Sequence, residues 1–300
     1  MFAITGATGN TGSVIAEQLL AQGEKVRVIG RDQGRLARFV AKGAEAAIAD
    51  LTDVAALTRA FQGVQGVYAM VPPNVGTPDV RGYQETISDA LAVALEEASV
   101  THVVVLSSIG ADKAERTGPV VGLHNLEQKL NGISGLSAYY LRAGYFMENL
   151  LAQANVLHTM GSLGGPVRAD LRLPMVATRD IGAAAARILA KHDFAGKQAH
   201  ELLGQRDVDY REVASVIGKA IGKEHLTYVQ LPPEQLKPAL RQVGLSADMA
   251  DLLLEMAAAL NSGYMVALER RTHQNTTPTA LETFVAEDLV PRFQLAAAAV

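Results

Sequence analysis

Residues 2–12, Phe-Ala-Ile-Thr-Gly-Ala-Thr-Gly-Asn-Thr-Gly, run a short apolar strand directly into three glycines spaced three apart. The amphipathic stretch Ser13–Gln22 follows, so the pattern predicts a strand, a tight turn and a helix in succession. In such a unit the first glycine admits the turn, the second lets backbone approach a phosphate, and the third lets helix pack on strand. The N–H groups at the helix start have no intrahelical acceptors and lie at the positive end of the helix dipole, so they face an anion. Gly6, Thr8, Gly9, Asn10, Thr11 and Gly12 are therefore the expected cradle for a dinucleotide pyrophosphate.

The rest of the chain supports this frame. Strand patterns at Lys25–Arg31, Ala46–Ala49, Gly66–Val71, Thr101–Leu106 and Ser137–Leu141 alternate with helical patterns. The helices are Gln33–Lys42, Val54–Phe61, Val80–Ala98 and Leu123–Leu130. Such alternation predicts a Rossmann-type α/β fold, a doubly wound parallel sheet covered on both faces. We expect a nucleotide-binding domain over residues 1–203, with its main body in residues 1–155, a smaller substrate lobe over 204–270, and a C-terminal helix and tail over 271–300. The alanine-rich end is expected to fray. Within Ala247–Leu260, Met249, Leu252, Leu253, Met256 and Leu260 form a helical apolar stripe. It reads first as core packing or an oligomer face, and second as the wall of an apolar pocket.

Strand two ends in Gly30-Arg31-Asp32. A carboxylate there would bond a ribose 2′-hydroxyl, whereas an arginine accommodates a 2′-phosphate. Arg31 occupies that position and favours NADP over NAD, while Asp32 would repel the phosphate if it turned inward. Asp50-Leu51, after strand three, is expected beside the adenine.

The 300 residues are 49% hydrophobic and 19% charged, with a net charge of −4. Positive charges are scattered, which argues against direct nucleic-acid contact. The absence of cysteine removes disulfides, thiolate metal sites and a cysteine nucleophile. No histidines pair at ligand spacing, so no metal site is expected. No apolar run reaches the length of a membrane span, and no basic leader precedes the first strand. A cytoplasmic location is the expectation.

These segments resemble the NmrA-like branch of the atypical short-chain dehydrogenases/reductases. The resemblance rests on the GATGNTG opening, Gly30-Arg31-Asp32, Asp50-Leu51, Leu106–Ala111, Leu141–Asn149 and Thr277–Phe284, the last resembling the family's closing helix. His124-Asn-Leu-Glu127 and Arg142-Ala-Gly-Tyr145 look most like the bacterial NAD(P)H:quinone oxidoreductases of that branch. The resemblance implies that Val71, Ser107 and Tyr145 contact the cofactor at the strand ends. Short-chain reductases use Tyr-x-x-x-Lys for proton transfer. Aligning on Glu127 puts Pro119 and Leu123 at those positions, and neither can move a proton. Hydride transfer to a quinone needs little more than a hydrogen-bond donor, for which His124 and Ser108 are the candidates. Phe146 and Tyr145 would wall the nicotinamide, and Asn149 would hold their loop.

Two functions follow. The first is an NADPH-dependent reductase of quinones or similar apolar conjugated electrophiles; the second is a non-catalytic NAD(P)-binding redox sensor with a regulatory protein partner. The missing motif weakens a third, an isomerase or epimerase. The sequence leaves a homodimer open.

Overall fold

A computed structural model describes residues 1–298, with side chains through residue 294; the alanine-rich tail expected to fray is helical as far as residue 298, and its last two residues lie outside the described residues. The chain opens with β1 (Phe2–Ile4), α1 (Asn10–Ala21), β2 (Val26–Gly30), α2 (Gln33–Val40), β3 (Glu45–Ile48) and α3 (Val54–Phe61). It continues through β4 (Gly66–Ala69), α4 (Val80–Glu97), β5 (His102–Ser108), α5 (Val120–Asn131) and β6 (Ser137–Ala143). Each was expected within three residues of where it lies. The largest offsets are at α1 and α5, which begin earlier than their apolar periodicity does.

After β6 come β7 (Tyr145–Phe146), a 3₁₀ turn at Met147–Ala152, α6 (Gln153–Met160), β8 (Leu163–Gly165) and β9 (Leu173–Val176). The chain then forms α7 (Thr178–Lys191), β10 (Lys197–Leu202), β11 (Asp207–Val208), α8 (Tyr210–Ala220) and β12 (Tyr228–Gln230). It ends with α9 (Pro233–Gln242), α10 (Ala247–Asn261), α11 (Leu281–Phe284), a π-helical stretch and α12 (Val290–Ala298). Among the described residues no helix is long and apolar enough to cross a membrane.

The main sheet has the order β3-β2-β1-β4-β5-β6-β10, and every neighbouring pair is parallel. Strand order reverses between β1 and β4, which opens a crevice at the carboxyl ends of those strands. Alternation along the strands divides the core. Phe2 and Ile4 pack under α1, α2 and α7, while Ala3, Val67 and Val103 pack under α3, α4 and α5. Helices α1 and α7 meet backbone to backbone: a Cβ on Gly182 would stand 2.8 Å from the carbonyl oxygen of Thr11.

A second core belongs to the smaller lobe. β9 pairs parallel with β7 and antiparallel with β11, and β8 pairs with β12. Its apolar cluster joins Met147, Leu150 and Met175 to Val213, Leu260 and Phe284. The packing of this lobe is thus not confined to 204–270, because its central strand β9 comes from well before residue 204. The closing helix also starts later than Thr277. Pro278 resists helix, Thr279 instead binds Asp180 through its N–H (3.0 Å) and hydroxyl (2.8 Å), and the helix begins only at Leu281.

Candidate functional site

The glycine loop lies where β1 meets α1. Gly6 has φ of +60°, which a side chain rarely tolerates, and a Cβ there would also press on Met70 Sδ at 2.9 Å. Gly12 is fixed by crowding: its Cβ would stand 2.3 Å from the carbonyl oxygen of Gly6. Gly9 donates to Gly6 O at 2.9 Å and forms the N-cap of α1, bringing no side-chain acceptor to the helix start. By contrast, Asp32, Asp53, Asp79 and Asp209 cap α2, α3, α4 and α8 with their own carboxylates. The start of α1 is therefore left for an external acceptor, and Gly9 and Asn10 are exposed there with Thr8 half-buried beside them. Thr11 can face the loop only through its backbone. It is buried, and its hydroxyl pairs with the Tyr68 hydroxyl at 2.8 Å, so its side chain ties α1 to β4 instead of facing the open loop.

Arg31 stands free at the end of β2, its side chain 80% exposed and its guanidinium 3.8 Å from Asp50. Asp32 is turned away, because its Oδ1 accepts the Arg35 N–H at 3.1 Å. The repulsion expected of Asp32 toward a 2′-phosphate is thus removed by helix capping. Asp50 uses Oδ1 to accept from the N–H and hydroxyl of Thr52. Those bonds, outweighing its partial burial and aided by Arg31, hold its carboxyl below the usual range. Oδ2 remains to face Arg31. Leu51 packs half-buried against the α3–α4 side of the core.

A cavity of about 750 Å³ opens at the carboxyl ends of β4, β5 and β6. Val71, Ser107, Ser108 and Tyr145 all line it, as do Pro119 and Leu123. The opposite wall is α10, through Met249, Leu253, Met256 and Leu260. The pocket-wall reading of that stripe is therefore the one the packing favours, with Leu252 turned instead into a small cluster with Val80. Further lining comes from Pro72, Pro73 and the segment Leu171–Pro174, which brings the charged Arg172 to the cavity, and none of these was singled out for the site by the sequence.

Two expected polar groups are committed elsewhere. Ser107 donates to Glu127 Oε1 at 2.5 Å, and Glu127, only 2% exposed, takes Arg142 bidentately at 3.0 and 2.6 Å. Ser107, Glu127 and Arg142 thus form a buried brace joining β5, α5 and β6 beneath the cavity. The Glu127 bonds outweigh burial and raise the pKa of Arg142 further, so the guanidinium stays charged. His124 does not line the cavity; its Nδ1 lies 2.8 Å from the Ala111 carbonyl. A carbonyl only accepts, so Nδ1 carries the proton and the ring serves to anchor the Ala111 turn. Ser108 does line the cavity, although its hydroxyl donates to Ile109 O at 2.9 Å.

Tyr145 is the better-placed polar group. Its oxygen accepts from the Tyr210 hydroxyl at 3.2 Å, and Tyr210 stacks on Tyr228 at 4.3 Å. Burial raises the pKa of Tyr145, against smaller lowering contributions from Tyr210 and Asn149. At neutral pH the phenol is protonated, and the bond accepted from Tyr210 leaves its own hydrogen for another partner. The register of β7 on β9, Tyr145 opposite Met175, holds the ring in place.

The sequence matches the NmrA-like family over residues 1–284. It is 31% identical over 268 residues to quinone oxidoreductase 2 of Escherichia coli, covering 88% of this chain and 89% of that protein. An NAD(P)H azoreductase of Xenophilus azovorans is 28% identical over 270 residues, covering 89% of this chain and 90% of the relative. Among solved structures, an E. coli NADPH-dependent quinone oxidoreductase complexed with NADPH superposes with a TM-score of 0.79 at 28% identity, covering 95% of this chain and 99% of the other. With the family match spanning almost the whole described chain, the protein belongs to the NmrA-like family.

Proposed function

We propose that this protein is an NADPH-dependent reductase of quinones and related conjugated electrophiles. One observation carries the reading: the loop that suits a pyrophosphate and the apolar cavity open on the same crevice, so a cofactor held at one reaches into the other. The quinone oxidoreductase and azoreductase relatives support it. In this reading the start of α1 binds the pyrophosphate and Arg31 binds the 2′-phosphate. Bound NADPH supplies a hydride, and one proton from solvent completes the two-electron reduction of quinone to hydroquinone, leaving NADP⁺.

The chain's own residues have a limited task. None of its eight tyrosines is followed by lysine four residues later, and the aligned pair Pro119 and Leu123 are cavity walls. Tyr145 donates a hydrogen bond to the ring oxygen on which charge develops, and the apolar walls keep water from the reacting face. His124 has no direct role, since its ring is bound outside the cavity. The loop and the cavity are both built from one chain, so the proposal requires neither a homodimer nor a regulatory partner. A cytoplasmic setting belongs to the same proposal.

The test is NADPH oxidation across a panel of benzoquinones and naphthoquinones, with Tyr145→Phe beside the wild type. The variant should lose about tenfold in kcat, with NADPH affinity unchanged, as for the loss of one hydrogen-bond donor to developing charge. No oxidation of NADPH by any quinone, despite tight cofactor binding, would favour the sensor.

A further inference from the structure

We infer that the quinone carries an apolar side chain, with its ring beside Tyr145 and its chain lying along α10 toward Val75. The inference rests on the reductase reading above and narrows its substrate class.

Length is the first consideration. Met249, Leu253, Met256 and Leu260 face the cavity at spacings of four, three and four residues. At the helical rise these eleven steps make an apolar wall about 16 Å long, roughly twice the span of a fused two-ring quinone. The wall has direction. Leu260 joins the core cluster that holds Ile109 and Val120, near the strand ends. Met249 packs on Val80 at the start of α4.

Beyond Val80 the track reaches the surface past Val75, with Asn74 beside it as the polar member of the lining at that end. Val75 lines the cavity while 44% exposed, and Val243 on the facing turn is 71% exposed. The two turns are joined there: Ser246 N–H donates to Val75 O at 2.8 Å, and a Cβ on Gly76 would lie 4.0 Å from Gly244 O. Val75 and Val243 thus carry an apolar edge outward from the apolar wall.

Charge along α10 points the same way. Asp248 accepts the Val80 N–H at 2.8 Å, Asp251 pairs with Lys237, and Glu255 takes Arg81 and the Gly118 N–H. All three acids of the helix beyond its first residue are thus occupied off the cavity wall. The α10 side of the track offers a sugar or charged extension no hydrogen-bonding side chain, and the polar lining opposite it at this end is confined to Asn74 and Gln84, whereas a hydrocarbon chain would be solvated by methionine and leucine. The two methionines, unbranched and with three rotatable bonds, suit a branched or flexible chain.

The experiment compares one naphthoquinone ring without a chain to the same ring carrying isoprenoid chains of 5, 10 and 15 carbons. With NADPH saturating, kcat/KM should rise by at least about tenfold over the first ten carbons, through KM and not kcat, and level off once the chain passes the mouth. Leu253→Gln and the surface variant Val75→Gln should each lower the ratio of tailed to tail-less kcat/KM. Ultrafiltration binding of the tailed and tail-less quinones to protein without cofactor should show the same preference. A kcat/KM that is flat or falls with chain length, or a ratio unchanged in both variants, overturns the inference while leaving the reductase reading intact. Reduction of neither ring overturns both.

Discussion

Arg31→Ala isolates the residue on which the cofactor assignment rests. A charge-assisted hydrogen bond contributes about 1.5–3 kcal/mol. The side chain is 80% exposed, which places Arg31 at the lower end. Its only ion-pair partner among the described residues, Asp50 at 3.8 Å, makes an exposed pair of the kind worth about 0–1 kcal/mol, so engaging a phosphate gives up little. The net effect on NADPH is then about 1–1.5 kcal/mol, roughly a 5- to 13-fold weaker Kd. NADH has no 2′-phosphate and should change by less than about twofold. The protein contains no tryptophan, so nicotinamide fluorescence reports both titrations without competing indole emission. Added salt should narrow the wild-type preference for NADPH, because the contact is screened. Asp32→Asn is the control: Asp32 caps α2, and its replacement should leave selectivity unaltered. Equal losses for both cofactors, or selectivity that follows Asp32, would refute the assignment.

Three further perturbations probe the scaffold. Gly12→Ala drives a methyl against the Gly6 carbonyl, 2.3 Å away and unable to shift; we expect a cost of about 1–3 kcal/mol and loss of the thermal shift that NADPH gives the wild type. Glu127→Ala leaves Arg142 buried without its partner and should destabilise by about 3–5 kcal/mol in urea unfolding, whereas Glu127→Gln, which keeps one acceptor for Ser107, should cost less. His192 closes α7 with φ of +51°, its ring centroid 3.7 Å from that of His102 and its Nδ1 buried without a partner. Burial, then His102, then the amino terminus hold its pKa below 6.5. A depressed folded-state pKa means this contribution is complete above pH 6.5 and is lost as pH falls through the lower folded value. His192→Asn, which tolerates the left-handed backbone, should therefore lose less stability than the wild type on acidification from about pH 7 to 5; parallel curves would contradict this.

The nucleotide-binding half of the fold was legible because each strand and helix there is bounded locally. Val54–Phe61, for example, is preceded by Asp53, whose side chain caps it. The smaller lobe was legible at helices such as α10 but not at β7, β8 and β9, which are two to four residues long and exist through partners far along the chain, such as Asp207 opposite Pro174. Periodicity identified the apolar face of α10 but could not say what it faced. A helix walling a cavity and one filling a core have the same stripe. Site chemistry was legible only to the level of position. Ser107 lies at the end of its strand as expected, yet its hydroxyl is claimed by a glutamate twenty residues away. His124 is likewise turned to a backbone carbonyl. Tyr145 was read as a cofactor wall, and the donor role proposed for it rests on its bond with Tyr210, which comes from a different element.

The most direct test of hydride transfer is an anaerobic single-turnover experiment, mixing the NADPH complex with a naphthoquinone in stopped flow. Loss of NADPH absorbance and formation of hydroquinone should proceed at one rate and in one-to-one amount. Deuterium at the transferred position of NADPH should slow both equally. Tight NADPH binding with no hydroquinone formed over any quinone tested would contradict the reductase assignment.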